Sequence, residues 1–427
     1  MIATVGVSAP AAAAISASTV AAPAATSTEI NALQRVVSEH PDQFAGMYLD
    51  SATGAITVNV TGAQASSAAQ LAHQFAPALS LAPRTVRYSQ RQLTAAMNAI
   101  PKRQPWAALA TPSLATWGID PATDTVRVGL TSVTPQLVDA ARAAFGDQAT
   151  LVRAQRPDLA MKVARLDPGY RTVTVNPGAK TSTPGAMQPN VAPSPSRLLD
   201  TTPYYGGDRI YRLYTDSGGA TYVVQCTGGF EWSPAAMSTA GHCGPYGTIW
   251  SQGYYDTSNS TLYKSGIMGT VFTVQWGNQR IDGELMNNGS WAPWVYTQLQ
   301  AVDPVLGSQI PSVGETVCTD GSFTGENCTA KITATNQCVN VSDPTAGTVT
   351  VCGLDAATST NNTMLCQPGD SGGPVYTHAR DSSGADLGLV ADGLVSACSG
   401  GSNPGRDVWF TDIATALQIF GGSIAHA

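Results

Sequence analysis

Hydrophobic and polar positions change period partway along this chain. In the first part, Ile30, Leu33 and Val37 recur three to four residues apart, as one face of a helix requires. Pro41-Asp42 breaks that pattern. A strand-turn-strand unit follows from Phe44 to Val60, with Asp50-Ser51-Ala52-Thr53-Gly54 as its turn. Gly54 accepts backbone angles closed to other residues, and the Asp50 side chain can bond the backbone two residues on. The run Ile56-Thr57-Val58-Asn59-Val60 then alternates as a half-buried strand does. The unit recurs. Asp50 to Thr61 aligns with Asp120 to Thr131, with matching Asp, Ala, Thr, Val and final Thr positions. A helical pattern from Pro135 to Phe145 follows the second copy, apolar at Leu137, Val138, Ala141 and Phe145. Two copies are too few for a solenoid. They predict an α+β domain of two related subunits over residues 29–175.

Residues 176–199 interrupt the pattern. The stretch is rich in Pro, Ser, Thr and Gly and carries almost no apolar content, so it predicts an extended linker. From residue 200 the period becomes that of short strands punctuated by Gly, Asn, Asp and Ser. Thr221–Cys226, Thr270–Trp276, Lys331–Val341, Thr348–Leu354 and Leu387–Val395 are the candidates. Such spacing predicts an all-β sandwich or barrel over 200–427. One helix closes the chain. Thr411 or Asp412 can cap it, Ile413, Leu417 and Phe420 form its face, and Gly421-Gly422 ends it.

Composition sharpens this division. Of 427 residues, the first 199 carry a net charge of +5 (15 Lys and Arg against 10 Asp and Glu). The remainder carries −12 (7 against 19). The two parts therefore attract, more weakly in salt. An acidic all-β domain is poorly suited to nucleic acid, which needs clustered Lys and Arg. All eight cysteines fall between Cys226 and Cys398. An even count confined to one region predicts disulfides formed in an oxidising compartment. No Cys-x-x-Cys pair or matched histidine spacing suggests a metal, and no cofactor is expected. Residues 1–28 are Ala-, Val- and Ser-rich, like the core of a secretory signal with small-residue cleavage options at Ala22–Ala25, though without a basic leading region. No segment is long and apolar enough to span a bilayer, so neither a membrane nor nucleic acid is an expected partner.

The chemistry-bearing segments are Thr239-Ala240-Gly241-His242-Cys243 and Gly369-Asp370-Ser371-Gly372-Gly373-Pro374. A serine hydroxyl needs a base to become a nucleophile, and histidine titrates in the right range. Flanking glycines let substrate approach Ser371 closely and free the N–H groups of Gly369 and Ser371 to hold a developing oxyanion. A third group, a carboxylate that orients His242, is assigned to Asp282 in Arg280-Ile281-Asp282-Gly283, with Asp303 and Asp256 as rivals.

These segments resemble the signatures of chymotrypsin-fold serine peptidases. Finer features resemble the streptogrisin and α-lytic branch of secreted bacterial enzymes. Tyr205-Gly206-Gly207-Asp208-Arg209-Ile210-Tyr211 is similar to that branch's mature amino terminus, and Val317-Cys318 through Ser322-Phe323-Thr324-Gly325 to Cys328 is similar to its Cys-bounded loop. Cys366-Gln367-Pro368-Gly369-Asp370-Ser371 has the branch's spacing. The repeated strand-turn-strand unit resembles its pro-region.

The resemblance implies two six-stranded β-barrels with the site between them, preceded by an α+β pro-domain. It implies His242, Asp282 and Ser371 as catalytic residues and the disulfides Cys226–Cys243, Cys318–Cys328, Cys366–Cys398 and Cys338–Cys352. Met364 and Leu365 would lie at the base of the substrate pocket, with Leu394, Val395 and Ser396 along one wall, favouring an apolar residue before the cleaved bond. The expected product is a secreted monomeric endopeptidase, made as a zymogen. Its partners are protein or peptide substrates and its own pro-region, which acts as folding aid and inhibitor and is removed by cleavage near the linker. Two departures stand out. Thr319, followed by Asp320, occupies the place of an arginine that would pair with Asp370, so other donors must serve Asp370 if it is buried. Cys398 also comes early after the nucleophile. An α/β-hydrolase also uses Gly-x-Ser-x-Gly but places its histidine after the serine, where only His378 and His426 stand. A relative without activity, serving as a binding module, is the non-enzymatic alternative.

Overall fold

The structure is a computed structural model. It describes residues 24–427 apart from 51, 63–64, 78, 179–194, 278–279, 344–346 and 402–403. The first 23 residues, and with them most of the signal-like segment, lie outside the described residues. The first helix, α1, runs Ala24–Glu39, so residues 24–28 join the α+β region.

That region holds the repeat. β1 (Phe44–Asp50) and β2 (Ala55–Thr61) form an antiparallel hairpin; α2 (Ala65–Phe75) leads to β3 (Leu81–Val86), parallel to β2. After α3 (Gln90–Ala99) and α4 (Trp106–Ala110), the same order returns. β4 (Leu114–Asp120) and β5 (Thr125–Leu130) pair antiparallel, α5 (Pro135–Phe145) follows, and β6 (Ala149–Arg153) lies parallel to β5. Both hairpin turns use one device: Asp50 Oδ1 accepts from Ala52 N and Asp120 Oδ1 from Ala122 N, each at 2.9 Å. Gly54 and its counterpart Asp124 both take positive φ, at 71° and 56°; aspartate tolerates this because its short polar side chain bonds locally. Each copy has its own core. Leu33, Val37, Phe44 and Val58 pack in the first, and Leu93, Trp106, Val128, Leu137 and Phe145 in the second. Asn59 Nδ2 and Arg84 Nη2 tie the copies together, each donating to Pro121 O at 2.6 Å.

The strands after residue 200 form two bodies. Strands 209–215, 221–227, 236–239, 249–256, 261–275 and 283–287 build the first. Its sheet runs from 221–227 at one end to 236–239 at the other, and Gly229 N→Ser238 O at 2.7 Å draws these ends together. In the second, strands 316–321, 325–343, 347–359, 407–412, 386–399 and 374–380 pair antiparallel in that order. The last returns to the first, which closes a six-stranded barrel. The final helix runs Ile413–Phe420, capped by Asp412 Oδ1 accepting from Ala414 N at 2.8 Å and ended at Gly421. Four disulfides join Cys226 to Cys243, Cys318 to Cys328, Cys338 to Cys352 and Cys366 to Cys398. No helix among the described residues is long and apolar enough to cross a membrane.

The α+β region docks onto the second barrel. β4 extends its sheet, with Trp117 opposite Cys338 and Thr116 opposite Val339. Gly118 permits this approach, since a Cβ there would lie 2.6 Å from Gln337 Cγ. The first copy holds the loop at 310–313 through Asn31 Oδ1, which accepts from Ile310 N at 2.9 Å, and Leu49 N, which donates to Val313 O at 2.7 Å. These contacts are backbone and amide hydrogen bonds.

Two boundaries fall elsewhere than the composition suggests. β7 (Pro157–Leu159), β8 (Lys162–Arg165) and β9 (Arg171–Thr174) lie before residue 175 but join the sheets of the later half. Their side chains alternate too briefly to reveal the partner strands. The expected linker lies outside the described residues over 179–194. Its end is folded: Arg197 is buried and ion-paired to buried Asp320 at 2.8 Å, with Nε donating to Gly207 O and Nη2 to Tyr296 O. Burial, aided by Glu326 and Asp370, outweighs the guanidinium and pushes the Asp320 carboxyl up to about 7. A carboxyl raised on folding adds stability below its unfolded pKa and loses it as pH rises through about 7. Arg197→Ala is therefore expected to cost about 3–5 kcal/mol at pH 8. The cost should shrink at pH 5, where Asp320 is protonated. Urea unfolding at both pH values measures this, and an equal cost at both would contradict it.

Candidate active site

Three side chains meet in the cleft between the two bodies. His242 stands in a short 3-10 turn, Gly241–Cys243, directly after strand 236–239. The Cys226–Cys243 disulfide ties that turn to strand 221–227. Gly241 is required there, because a Cβ would lie 2.3 Å from Gln275 O and 2.8 Å from Gly283 O. Asp282 immediately precedes strand 283–287. Ser371 lies in the loop before strand 374–380 of the second barrel.

The distances define a continuous chain. His242 Nδ1 lies 2.6 Å from Asp282 Oδ2, and Nε2 lies 2.7 Å from Ser371 Oγ. All three residues are buried. The Asp282 carboxylate also accepts from His242 N at 2.9 Å and from Ser396 Oγ at 2.5 Å. Its own backbone is held by Thr411, whose Oγ1 accepts from Asp282 N and donates to Asp282 O. The Trp276 ring stands 5.3 Å from the imidazole, centre to centre. Such an arrangement fixes one tautomer of His242, with the proton on Nδ1 and a lone pair on Nε2 toward the hydroxyl. The rival carboxylates are elsewhere. Asp256 accepts from Ser258 and Asn259 in an exposed turn, and Asp303 accepts from Thr297. His378 contacts Glu326 and Asp386.

The backbone N–H groups of Gly369 and Ser371 converge on one point. Both donate to the carbonyl oxygen of Ala160, at 2.5 and 3.0 Å. Gly369 has φ of 112°, and a Cβ there would lie 2.2 Å from the Phe323 ring. Gly372 has φ of 83°, and a Cβ there would lie 1.9 Å from Thr239 Oγ1. Both glycines are thus fixed by backbone shape and by close packing.

Asp370 is buried, and among the described residues no arginine donates a hydrogen bond to it, although Arg209 lies near enough to interact with its charge. Its carboxylate accepts from Phe323 N at 2.8 Å, Thr324 N at 3.1 Å, Gln367 N at 2.8 Å and Thr324 Oγ1. Burial still raises its pKa above the ordinary range. Thr319, at the arginine's place, donates instead to Leu365 O at 2.7 Å. Removing one donor from a buried carboxylate leaves it short of a charge-assisted bond. Thr324→Val is expected to cost about 1.5–3 kcal/mol, read as a lower urea midpoint with unchanged disulfide content.

The proposed pocket residues divide. Leu365 and Val395 lie in the apolar cluster that surrounds Ala160, together with Cys366 and Cys398. Ser396 O accepts from Ala160 N at 3.1 Å. Met364 and Leu394 do not take part. Met364 is 41 % exposed, whereas its neighbour Leu365 is buried. Leu394 faces the core between the two bodies, near Phe230 and Tyr376, on the opposite side of its strand from Val395. Sequence reasoning missed Thr411 and Trp276. Neither lies within a recognisable motif, and they reach the site only through folding. It also missed Ala160 in the cleft, which no local pattern marks.

Among the described residues, Cys318, Glu326, Cys328 and His378 each offer an atom of ligand type, all within 4.8 Å of one another. The two sulfurs are joined in a disulfide and offer no thiolate.

No family model matches this chain. It is 28 % identical to Streptogrisin-C of Streptomyces griseus over 264 residues, 61 % of this chain and 46 % of that protein. The chain thus matches under half the length of that relative. It is 26 % identical to Serine protease 1 of Streptomyces fradiae over 395 residues, 90 % of this chain and 83 % of that protein. Among solved structures, a Cellulomonas bogoriensis chymotrypsin is 26 % identical, with a TM-score of 0.37, covering 52 % of this chain and 98 % of its own. A glutamic acid-specific serine protease is 21 % identical, with a TM-score of 0.39, over 52 % of this chain and 100 % of its own. The two β bodies with a His–Asp–Ser cluster between them have the architecture of a chymotrypsin-like serine peptidase. The two curated relatives are thus named as a streptogrisin and as a serine protease.

Proposed function

We propose that this chain is a secreted serine endopeptidase made as a zymogen. The observation that carries this reading is the buried line from Asp282 through His242 to Ser371, ending beside two N–H groups that already hold a peptide carbonyl. Ser371 Oγ attacks the substrate carbonyl while His242 Nε2 takes its proton. Asp282 keeps the imidazole oriented and stabilises its cation. Gly369 N–H and Ser371 N–H bind the oxyanion, where preorganised donors have their largest effect. His242 returns the proton to the leaving amine. Water then releases the acyl group by the same steps in reverse.

The substrate is a protein or peptide strand that pairs with the backbone around Ser396, a β-addition mode in which main-chain bonds supply affinity. The pocket around Leu365, Cys366, Val395 and Cys398 is apolar, which supports cleavage after a small or medium apolar residue. Peptide anilides test this. Those with Ala or Val before the bond should be hydrolysed at least 100-fold faster than those with Lys, Arg or Glu. Equal or faster cleavage after a charged residue would contradict the pocket assignment. The four disulfides favour an oxidising, extracytoplasmic setting. The α+β region, docked across the second barrel and feeding a strand into the cleft, acts as folding aid and inhibitor.

A further inference from the structure

The strand that fills the cleft is part of the chain itself. β7 runs antiparallel to strand 386–399, with Leu159 opposite Ala397, Asp158 opposite Cys398 and Pro157 opposite Ser399. Ala160 follows, donating its N–H to Ser396 O and placing its carbonyl oxygen on the N–H groups of Gly369 and Ser371. Its methyl group is buried among the pocket residues. Beyond it, half-buried Met161 packs against the first body's core, which includes Cys226 and Cys243. β8 then pairs with strand 221–227, with Lys162 opposite Gln225 and Val163 opposite Val224. The chain therefore crosses from the second barrel to the first with one peptide bond, Ala160–Met161, at the nucleophile.

We propose that Ala160–Met161 is the bond this protein cuts in itself, and that Met161 to Leu199 stays with the enzyme as an amino-terminal extension. The proposal rests on the peptidase reading above. Ser371 Oγ adds to the Ala160 carbonyl carbon as His242 takes the hydroxyl proton. The Ala160–Met161 C–N bond breaks, and His242 gives that proton to the Met161 nitrogen. Water hydrolyses the resulting ester. One water is consumed, Ala160 gains a carboxylate, Met161 becomes a free amine and Ser371 is restored. The new carboxylate remains on the two N–H donors, so the cut strand continues to block the cleft until the α+β region leaves.

Two observations argue for retention, the first for the segment around Leu166 to Val175 and the second for Arg197. The first is apolar packing. Leu166 is buried with Tyr211, Val223, Tyr255 and Leu262, while Asp167 accepts from Ser260 Oγ at 2.5 Å and Val175 N donates to Lys264 O at 2.8 Å. Loss of this segment would expose that face and free the edge of strand 221–227. The second is Arg197. A cut after it would remove the cation facing buried Asp320, leaving a buried carboxylate unpaired. The packing of residues 166–175 favours a start upstream of the Pro-rich stretch, and the Arg197–Asp320 pair argues against a start after it.

The test is expression of the full chain with intact-mass measurement and amino-terminal sequencing of the product. The expected product begins at Met161, and Ser371→Ala gives only the uncut chain. Ala160→Glu places a charge in the apolar pocket and should slow processing at least 100-fold. A synthetic peptide spanning Gln155 to Ala164, treated with the processed enzyme, covers the case in which that variant fails to fold. It should be cut between Ala160 and Met161, and an Ala160→Glu peptide at least 100-fold more slowly. A product beginning between residues 176 and 205 with Ala160–Met161 still joined overturns the proposal and leaves the peptidase reading intact. So does an enzyme that hydrolyses other peptides but leaves this one whole. A chain that neither processes itself nor hydrolyses any peptide overturns both.

Discussion

Ser371→Ala is expected to lower kcat/KM for peptide hydrolysis by about a million-fold, with folding unaffected. Among the described residues, the hydroxyl is the group placed both against His242 Nε2, at 2.7 Å, and beside the N–H donors that hold the Ala160 carbonyl. Alanine keeps the residue 371 N–H and its backbone angles, so the oxyanion donors survive. The residual rate should therefore exceed that of water by the contribution of binding and oxyanion stabilisation alone, about 10³–10⁴. Stability should change little, because the hydroxyl's partners are His242 and a long contact to Ser396 O at 3.4 Å. Comparison of purified variant and parent on one apolar peptide anilide, with urea midpoints alongside, gives both numbers. A loss of less than 100-fold would place the nucleophile elsewhere.

Asp282→Asn is expected to cost about 10⁴ in kcat. The carboxylate accepts three hydrogen bonds, from His242 N, His242 Nδ1 and Ser396 Oγ. An asparagine can keep the shape but must present an NH₂ group on one side. If that group faces Nδ1, the imidazole is driven to the tautomer with its proton on Nε2, which cannot accept from Ser371. The imidazolium formed during attack also loses its counter-charge. The loss should be largest at neutral pH and should lessen in strong alkali, where hydroxide can substitute for the missing base. Asp282→Ala frees Ser396 Oγ as well and should add instability that Asp282→Asn avoids. The pH–rate profiles of both variants, with unfolding curves, separate the catalytic loss from the structural one.

What the sequence made legible follows from how local each signal is. The hairpin turns were legible because their chemistry lies within five residues: Asp50 and Asp120 each bond the backbone two residues on, and the structure shows both bonds. The helices Pro135–Phe145 and Ile413–Phe420 carried their caps and apolar faces in the open. His242 and Ser371 were legible because glycines crowd both, and those glycines prove to be forced by contacts under 3 Å. Asp282 depended on order along the chain, since nothing local separates it from Asp256 or Asp303. Side-chain facing was harder. Leu394 stands next to buried Val395 in one strand, where a one-residue shift reverses the face; exposed Met364 stands next to buried Leu365 outside any strand. The path of residues 157–175 was not legible at all. β7, β8 and β9 span three or four residues each, too few to show a period, and their partners lie 57 to 242 positions further along the chain. The partner of Asp320 was hidden for a related reason. Arg197 sits at the end of a Pro-rich stretch that reads as linker, and only the fold reveals that it is buried.

The most direct measurement is to treat the processed, disulfide-bonded protein with a fluorophosphonate and locate the adduct by mass spectrometry. The account predicts one adduct, on Ser371, formed rapidly in the parent, about 10⁴-fold more slowly in Asp282→Asn and absent in Ser371→Ala. No adduct on a correctly folded parent, or an adduct on another serine that persists in Ser371→Ala, would contradict it.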